Sequence, residues 1–279
     1  MSLGIVDSVV LGVVEGLTEF LPVSSTGHLT IAEGLLGLDV DDKGVTAFTA
    51  VIQSGAIVAV LLYFARDIVT LVRDLLGGLR TPAQRTEPGF RLAVGVIIGS
   101  IPIGIVGLAL KGVIESGALR SLVTVGIALI AWSAVMLVSE RRATQARGEE
   151  AVTYRDTLVI GLAQCIALVP GVSRSGATIS TGLLLGLDRV TATRLSFFLS
   201  VPALTAAGLL ELKDALGSTG VGTGPVLVGT VVSFAVALAT IAFLLRFVAR
   251  HPITRFVPYR VALGVIVLVA LAVRTAFAL

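Results

Sequence analysis

The stretch EGLTEFLPVSSTGH, at residues 15–28, interrupts an apolar segment that extends from residue 3 to residue 37. Pro22 and the polar residues after it divide this segment into two short halves. A helix needs about 20 apolar residues to cross the hydrocarbon core of a bilayer. Each half is too short to cross, so we expect a re-entrant helical hairpin that enters the membrane and returns to the same side.

A second interrupted segment, at residues 153–187, has the same design, with its break at Pro170 and Gly171. Shifting the sequence by 149 positions aligns the two segments without a gap. The matched pairs include Asp7 and Asp156, Gly12 and Gly161, Ser24 and Ser173, and Gly27 and Gly176. We therefore predict an internal duplication, with repeat 1 at about residues 1–140 and repeat 2 at about residues 150–279.

The composition is that of an integral membrane protein. Hydrophobic residues make up 55% of the chain and charged residues 14%, whereas soluble proteins carry about 25% charged residues. Uninterrupted apolar runs predict six transmembrane helices, at about residues 44–64, 89–110, 118–138, 192–212, 225–247 and 258–278. The predicted fold is an all-α polytopic membrane protein with a single membrane domain, residues 1–279.

Each repeat contains one hairpin and three crossings, and this odd number inverts the second repeat relative to the first. The prediction is an inverted-topology repeat, in which the two broken tips meet near the midplane of the membrane.

The distribution of positive charge predicts which side of the membrane is cytoplasmic. Fifteen arginines fall on one side of this topology, and five lysines or arginines fall on the other. By the positive-inside rule, both termini and the mouth of the first hairpin face outward. The basic residues lie in short loops, so the net charge of +3 does not indicate a nucleic-acid partner. The fifteen are Arg66, Arg73, Arg80, Arg85, Arg91, Arg141, Arg142, Arg147, Arg155, Arg189, Arg194, Arg246, Arg250, Arg255 and Arg260.

Two acids precede the first break. Glu15 and Glu19 are four residues apart and therefore share one face of a helix. Ionised acids within hydrocarbon are costly unless they are paired, hydrated or bound to a cation. Two carboxylates on one face suit a divalent cation such as Mg²⁺ or Ca²⁺. The alternative is a protonated pair that forms hydrogen bonds between helices.

The first break itself carries three hydroxyls, a glycine and a histidine. Ser24, Ser25, Thr26 and Gly27, together with backbone N–H groups at the start of a helix, can form a cradle for an anion such as phosphate. His28 lies three residues after Ser25, close enough to exchange a proton with it. The alternative for the hydroxyls is that they join transmembrane helices by hydrogen bonds.

The second break carries the residues Gly171, Ser173, Arg174, Ser175 and Thr178. In the alignment shifted by 149 positions, Arg174 matches Ser25. A guanidinium in the membrane is expensive, but its fork of donors matches a phosphate or diphosphate. The alternative is a structural ion pair between Arg174 and an acid of the first tip.

The motifs EGLTEFLPVSSTGH, at residues 15–28, and PGVSRSGAT, at residues 170–178, are similar to those of the undecaprenyl-diphosphate phosphatases of the BacA type, the bacitracin-resistance family. The resemblance covers essentially the whole chain. It implies hydrolysis of a C55 polyprenyl diphosphate to the monophosphate, which recycles the lipid carrier of cell-wall synthesis and confers bacitracin resistance. It also implies a divalent cation and a place in the bacterial inner (plasma) membrane.

The resemblance also suggests roles for the tip residues. Arg174 and a metal held by Glu15 and Glu19 would neutralise the diphosphate. Ser25 is the expected nucleophile, with Glu19 or His28 as its base; attack by water or by His28 stays open. The expected partners are the polyprenyl diphosphate and membrane lipid, and a homodimer also stays open.

Two other functions fit parts of the sequence. Inverted repeats with broken helices are typical of transporters, so a lipid transporter or flippase is the main alternative. A phosphatase of the two-histidine acid-phosphatase type needs a second histidine with an acidic partner, and His251, in the segment ARHP, offers none at the tips. Release of phosphate from a polyprenyl diphosphate distinguishes an enzyme from a transporter.

Overall fold

The computed structural model describes residues 3–40, 42–114, 121–215 and 221–277, and all regular secondary structure within them is helical. Short 3-10 helices lie at Pro82–Thr86, Glu149–Ala151 and Ile253–Phe256. The α-helices in chain order are α1 (Ile5–Thr18), α2 (Ser25–Leu35), α3 (Lys43–Tyr63), α4 (Ala65–Arg80), α5 (Pro88–Ala109), α6 (Lys111–Ile114), α7 (Leu122–Arg142), α8 (Tyr154–Ile166), α9 (Arg174–Leu184), α10 (Arg189–Ala215), α11 (Thr223–Val248) and α12 (Val257–Phe277). The predicted all-α class is confirmed.

Five stretches of the described chain are long and apolar enough to cross a membrane, which confirms a polytopic membrane protein. They are Gly44–Tyr63, Pro88–Ala109, Leu122–Arg142, Thr223–Val248 and Ile253–Thr275. The sixth predicted crossing falls within α10, in which several side chains towards the end lie outside the described residues. That crossing stays a prediction.

The two predicted breaks are present. Helix α1 ends at Thr18 and α2 begins at Ser25, while α8 and α9 each begin 149 residues after α1 and α2. The four helices contain 14, 11, 13 and 11 residues. At about 1.5 Å per residue, each is shorter than the hydrocarbon core of about 30 Å. Their re-entry into a bilayer, and the inverted relation of the two repeats, stay predictions.

The breaks have the same backbone geometry. Ser24 and Ser173 cap α2 and α9, and both have a φ of 79°, a region that non-glycine residues rarely adopt. The Ser24 hydroxyl accepts a hydrogen bond from the N–H of Gly27 at 3.4 Å, and the Ser173 hydroxyl accepts one from Gly176 at 3.1 Å. Each serine therefore ends the break and starts the second helix of its hairpin.

Glycines allow the first helix of each hairpin to pack closely against a helix of the other half of the chain. A Cβ at Gly12 of α1 would lie 2.6 Å from the carbonyl oxygen of Gly229 in α11. A Cβ at Gly161 of α8 would lie 2.0 Å from the carbonyl oxygen of Gly99 in α5. Such small-residue contacts are typical of membrane helix pairs. The two halves of the chain are consequently interleaved.

Helix α7 begins at Leu122, four residues later than the predicted crossing at 118–138. Ser121 caps it, because its hydroxyl accepts a hydrogen bond from the N–H of Thr124 at 3.2 Å. Residues 118–120 of the predicted crossing lie outside the described residues.

Helix α4 is not predicted from hydropathy. It carries the charged residues Arg66, Asp67, Arg73, Asp74 and Arg80 within 16 residues, so it does not resemble a crossing. It lies between α3 and α5 in the chain.

Candidate active site

The first break brings together a hydroxyl and a carboxylate. Ser25, the first residue of α2, donates a hydrogen bond from Oγ to Oε2 of Glu19 at 2.6 Å. Glu19 is buried and follows the last turn of α1, while Ser25 is half-buried. The neighbouring Phe20 is fully buried and packs edge-on against Phe197, with ring centroids 5.5 Å apart. This packing fixes the backbone that carries Glu19.

Arg174, the first residue of α9, joins this pair from the second break. Its Nη2 donates to Oε1 of Glu19 at 3.2 Å, and its Nη1 donates to the carbonyl oxygen of Ser196 at 3.2 Å. Its Nε is buried and has no hydrogen-bond partner among the described residues. Buried donors are nearly always satisfied in proteins, so this N–H is a suitable donor for a bound anion.

The two ring nitrogens of His28 contact groups other than Ser25. Nδ1 lies 2.7 Å from the carbonyl oxygen of Ser24, and Nε2 lies 2.6 Å from the hydroxyl of Tyr259. The Tyr259 ring stacks on the imidazole, with an angle of 16° between the two ring planes. A carbonyl oxygen only accepts, so Nδ1 carries the proton and, in the neutral ring, Nε2 accepts from Tyr259. The Ser25 hydroxyl therefore forms its hydrogen bond with Glu19 and not with His28.

A direct hydrogen bond joins the two breaks. The hydroxyl of Ser24 accepts from the N–H of Gly171 at 3.0 Å. Gly171 has a φ of +100°, and a Cβ there would lie 2.6 Å from the carbonyl oxygen of Val125. Both the backbone conformation and the close contact favour glycine at this position.

The other hydroxyls of the second break are buried and form hydrogen bonds within the protein. Ser175 donates to the carbonyl oxygen of Leu21 at 2.9 Å, and Thr178 donates to the hydroxyl of Ser196 at 2.6 Å. Ser173 lies 3.1 Å from Ser175, hydroxyl to hydroxyl. These bonds hold the second tip against the first hairpin and α10. Binding of a diphosphate by Ser173, Ser175 and Thr178 stays a prediction.

Two further residues of the predicted cradle lie in the first turn of α2. Thr26 is exposed, whereas Gly27 is buried, and a Cβ at Gly27 would lie 3.0 Å from Cγ1 of Val125. The space at Gly27 is therefore closed by α7, and Thr26 is the cradle hydroxyl that is most open to a ligand.

The predicted metal ligands are both buried. Glu15 is fully buried, Glu19 is 6% exposed, and Gln164, which aligns with Glu15 in the second hairpin, is also fully buried. Within the described residues, no three His, Cys, Asp or Glu side chains form a group that could hold a metal. The two carboxylates, Glu15 and Glu19, would therefore need water and phosphate oxygens to complete the shell of a divalent cation. The predicted Mg²⁺ or Ca²⁺ stays a prediction.

Arg260 is counted among the arginines on the cytoplasmic side of the predicted topology. The structure buries this residue completely. Its guanidinium donates to the carbonyl oxygens of Pro22 at 2.9 Å, Gly171 at 2.9 Å and Val172 at 3.1 Å, and to the hydroxyl of Ser133 at 3.2 Å. Without Arg260, the count is fourteen arginines on the cytoplasmic side and five lysines or arginines on the other side. The predicted orientation is therefore unchanged.

Neither Arg260 nor Tyr259 is expected from the sequence motifs. A signal for Arg260 exists, because it lies inside the predicted crossing at 258–278 and a charge within a crossing is by default a candidate functional residue. Tyr259 has no comparable signal. Its contact with His28 joins residues that are 231 positions apart.

Comparisons with known proteins match almost the entire chain. The family model described as bacitracin resistance protein BacA matches residues 8–266. The chain is 57% identical to undecaprenyl-diphosphatase 3 of Frankia casuarinae over 97% of this chain and 98% of the relative. It is 56% identical to undecaprenyl-diphosphatase 1 of Streptomyces avermitilis over 94% of each chain. It is 50% identical to an undecaprenyl-diphosphatase of Cutibacterium acnes over 94% of this chain and 95% of the relative.

Proposed function

The chain belongs to the bacitracin resistance protein BacA family, and from this membership we propose that it is an undecaprenyl-diphosphate phosphatase. It hydrolyses undecaprenyl diphosphate to undecaprenyl phosphate and inorganic phosphate. The reaction recycles a lipid carrier of cell-wall synthesis, and it accounts for resistance to bacitracin.

The observation that carries this proposal is the contact of three groups from both breaks. Ser25 supplies a hydroxyl, Glu19 accepts its hydrogen bond at 2.6 Å, and Arg174 lies 3.2 Å from the same carboxylate. A nucleophile, a base and an anion-binding guanidinium are the groups that attack on a phosphorus atom requires. A binding site for transport would need the guanidinium but would not need a hydroxyl paired with a base.

The proposed reaction has two steps. Glu19 takes the proton of Ser25 while Oγ bonds to the terminal phosphorus, and the bond from that phosphorus to the bridging oxygen breaks. Undecaprenyl phosphate leaves with the bridging oxygen and its electron pair and takes up the proton that Glu19 received, so Glu19 is again ionised. In the second step Glu19 deprotonates water, which bonds to the phosphorus of the phosphoserine while the Oγ–P bond breaks. Glu19 returns this proton to Oγ, and inorganic phosphate is released. Arg174 neutralises the oxygens of the terminal phosphate in both steps.

The alternative mechanism keeps the same residues in different roles. Water attacks the terminal phosphorus directly, Glu19 deprotonates the water, and Ser25 holds it in place by a hydrogen bond. His28 is the less suitable base in either mechanism, because both ring nitrogens already have partners.

A divalent cation is proposed as the cofactor. Glu19 and Glu15 are the carboxylates that would hold it, together with the diphosphate and water, as is usual for Mg²⁺. A bound cation supplies positive charge to the diphosphate and to the leaving phosphate.

The proposed location of the active site is the outer face of the plasma membrane. The chain is a multi-pass membrane protein, and the positive-inside count supports an outward mouth for the first hairpin.

The test is phosphate release from undecaprenyl diphosphate by the purified protein in detergent, with and without EDTA. We expect catalytic release that EDTA abolishes and that added Mg²⁺ restores. The variant Ser100→Ala serves as a control, because the Ser100 hydroxyl donates to the carbonyl oxygen of Val96 within its own helix. Binding of the lipid without any phosphate release would contradict the phosphatase and would support a transporter.

A further inference from the structure

Helix α4 lies at a membrane surface by its position in the chain. It begins at Ala65, directly after the crossing that ends at Tyr63, and the next crossing begins at Pro88. Both crossings therefore leave the membrane on the side where α4 lies. Its 16 residues carry five charges, so α4 itself does not cross.

One stripe of α4 is apolar and exposed. Val69, Val72, Leu76 and Leu79 are 57%, 50%, 45% and 60% exposed. They are spaced by three, four and three residues, which places them on one face of a helix. Four large aliphatic side chains in a continuous stripe are unusual on a surface that faces only water.

A row of arginines borders this stripe. Arg66, Arg73 and Arg80 are exposed and recur every seven residues, so they lie along one edge of the helix, beside Val69 and Leu76. Long arginine side chains next to an apolar stripe can reach phosphate groups while their methylenes stay in the apolar layer.

The two acids of α4 contact other helices of the protein. Asp67 pairs with Arg194 of α10 at 2.7 Å. Asp74 faces the start of α5, because a Cβ added to Gly89 would lie 2.0 Å from its Oδ2. Asp74 and Glu87 line the same surface cavity as Arg73 and Arg80. The three arginines of the border outnumber these two acids, so this surface keeps a net positive charge.

The remaining face of α4 packs against the protein. Ile68 and Leu71 pack against the main hydrophobic core. A Cβ at Gly78 would lie 2.1 Å from the ring of Phe90. This contact fixes the rotation of the helix about its axis and determines that the valine and leucine stripe points away from the protein.

From this geometry we propose that α4 is an interfacial helix that binds anionic phospholipids. Its four aliphatic side chains enter the acyl layer, and Arg66, Arg73 and Arg80 bind the phosphate headgroups. This interaction is separate from hydrolysis of the diphosphate lipid at the two breaks.

The experiment uses the full-length protein in bilayer nanodiscs, with Cys165→Ser as the background. Leu76→Cys carries an environment-sensitive fluorophore, and Thr70→Cys, on the exposed polar side of α4, is the matched control. The nanodiscs contain phosphatidylcholine with an equal fraction of doxyl-labelled phosphatidylglycerol or doxyl-labelled phosphatidylcholine. We expect blue-shifted emission at position 76, quenched at least about twofold more strongly by the anionic lipid, and little quenching at position 70.

The contribution of the arginines is tested by replacing all three with glutamine. This variant is expected to lose the preference for phosphatidylglycerol while position 76 remains quenched by both lipids. The control replaces three exposed arginines elsewhere, Arg141, Arg142 and Arg155, with glutamine and should retain the preference.

If both lipids quench the fluorophore at position 76 equally while Arg66, Arg73 and Arg80 are present, the result would contradict the recognition of anionic headgroups. Unquenched emission at position 76 would show that the stripe does not enter the membrane. If that result accompanied a dimer in detergent, a second copy of the chain would be the occupant of the stripe, and the lipid proposal would be wrong.

Discussion

The hydroxyl of Ser25 lies 2.6 Å from Oε2 of Glu19, although the break between α1 and α2 separates the two residues along the chain. A distance this short is typical of a hydrogen bond from a hydroxyl to a carboxylate. The contact supports Glu19 rather than His28 as the proposed base, because both ring nitrogens of His28 contact Ser24 and Tyr259.

Replacing either member of this pair is expected to stop turnover without preventing binding. Ser25→Ala removes the proposed nucleophile, and Glu19→Gln removes the base. Each should lower kcat by at least about 10³-fold, while titration of the purified variants with the diphosphate lipid still detects binding.

Full turnover by Ser25→Ala would make water the better candidate for the nucleophile. If Glu19→Gln also retained full turnover, the phosphatase mechanism would be wrong at its centre. Ser100→Ala, which removes a hydroxyl from α5, should keep the activity of the unchanged protein and excludes a general effect of losing a serine.

Replacing Arg174 tests the geometry of its guanidinium. Lysine keeps the charge but cannot present two parallel N–H donors. Arg174→Lys should therefore lower kcat/KM by about 10²-fold to 10³-fold, equivalent to about 2.7–4 kcal/mol of transition-state stabilisation. Arg174→Ala should additionally weaken binding of the diphosphate lipid.

The matched control for Arg174→Lys is Arg142→Lys, at an exposed arginine at the end of α7. Activity of Arg174→Lys within threefold of the control would reduce Arg174 to a structural partner of Glu19.

Removal of the Arg260 guanidinium is expected to destabilise the fold as well as the site. Arg260→Met leaves the buried carbonyl oxygens of Pro22, Gly171 and Val172 without this donor, and each such loss costs about 1–3 kcal/mol. The melting temperature in detergent should fall clearly below that of Arg255→Met, which removes an exposed arginine. Equal melting temperatures would show that these bonds contribute nothing to stability.

Two glycines of α5 make a matched test of helix packing. A Cβ at Gly99 would lie 2.6 Å from the carbonyl oxygen of Thr157 in α8, whereas a Cβ at Gly104 meets nothing within 4 Å. Gly99→Ala should reduce stability by about 1–3 kcal/mol. Gly104→Ala should be neutral or stabilising by up to about 1 kcal/mol. Thermal unfolding measures the melting temperatures of the two variants. A lower melting temperature for Gly104→Ala than for Gly99→Ala would contradict the close packing of α5 and α8.

The orientation is tested by labelling single cysteines in intact cells, with Cys165→Ser as the background. Gly224→Cys, at the start of α11, should react with an impermeant thiol reagent, and Ala146→Cys, after α7, should react only after the cells are opened. Reaction of both cysteines in intact cells would show that the predicted topology is wrong.

The breaks could be predicted from the sequence because they leave local signals. A proline and a run of polar residues interrupt each apolar segment, and the duplication at an offset of 149 repeats the pattern. The same duplication explains why Ser24 and Ser173 have equal φ values of 79°. Groups within one tip were therefore predictable, such as Ser25 beside Glu19.

Contacts between distant segments could not be predicted in this way. Tyr259 reaches His28 through packing of α12, and no spacing along the chain encodes that contact. Arg260 is close to the end of a crossing, where arginines normally mark a loop. Helix α4 is missed for a different reason, because its charges and apolar residues alternate along the chain and separate only when the helix forms.

Arg260 also makes the contact between the two breaks depend on a later part of the chain. It belongs to α12, which follows both breaks in the chain, and it binds carbonyl oxygens in both of them, at Pro22 and at Gly171. A nascent chain that has been translated only as far as α11 carries Ser25, Glu19 and Arg174 but lacks the guanidinium that donates to carbonyl oxygens of both breaks. The full set of contacts between the two breaks therefore forms only after α12 has been synthesised.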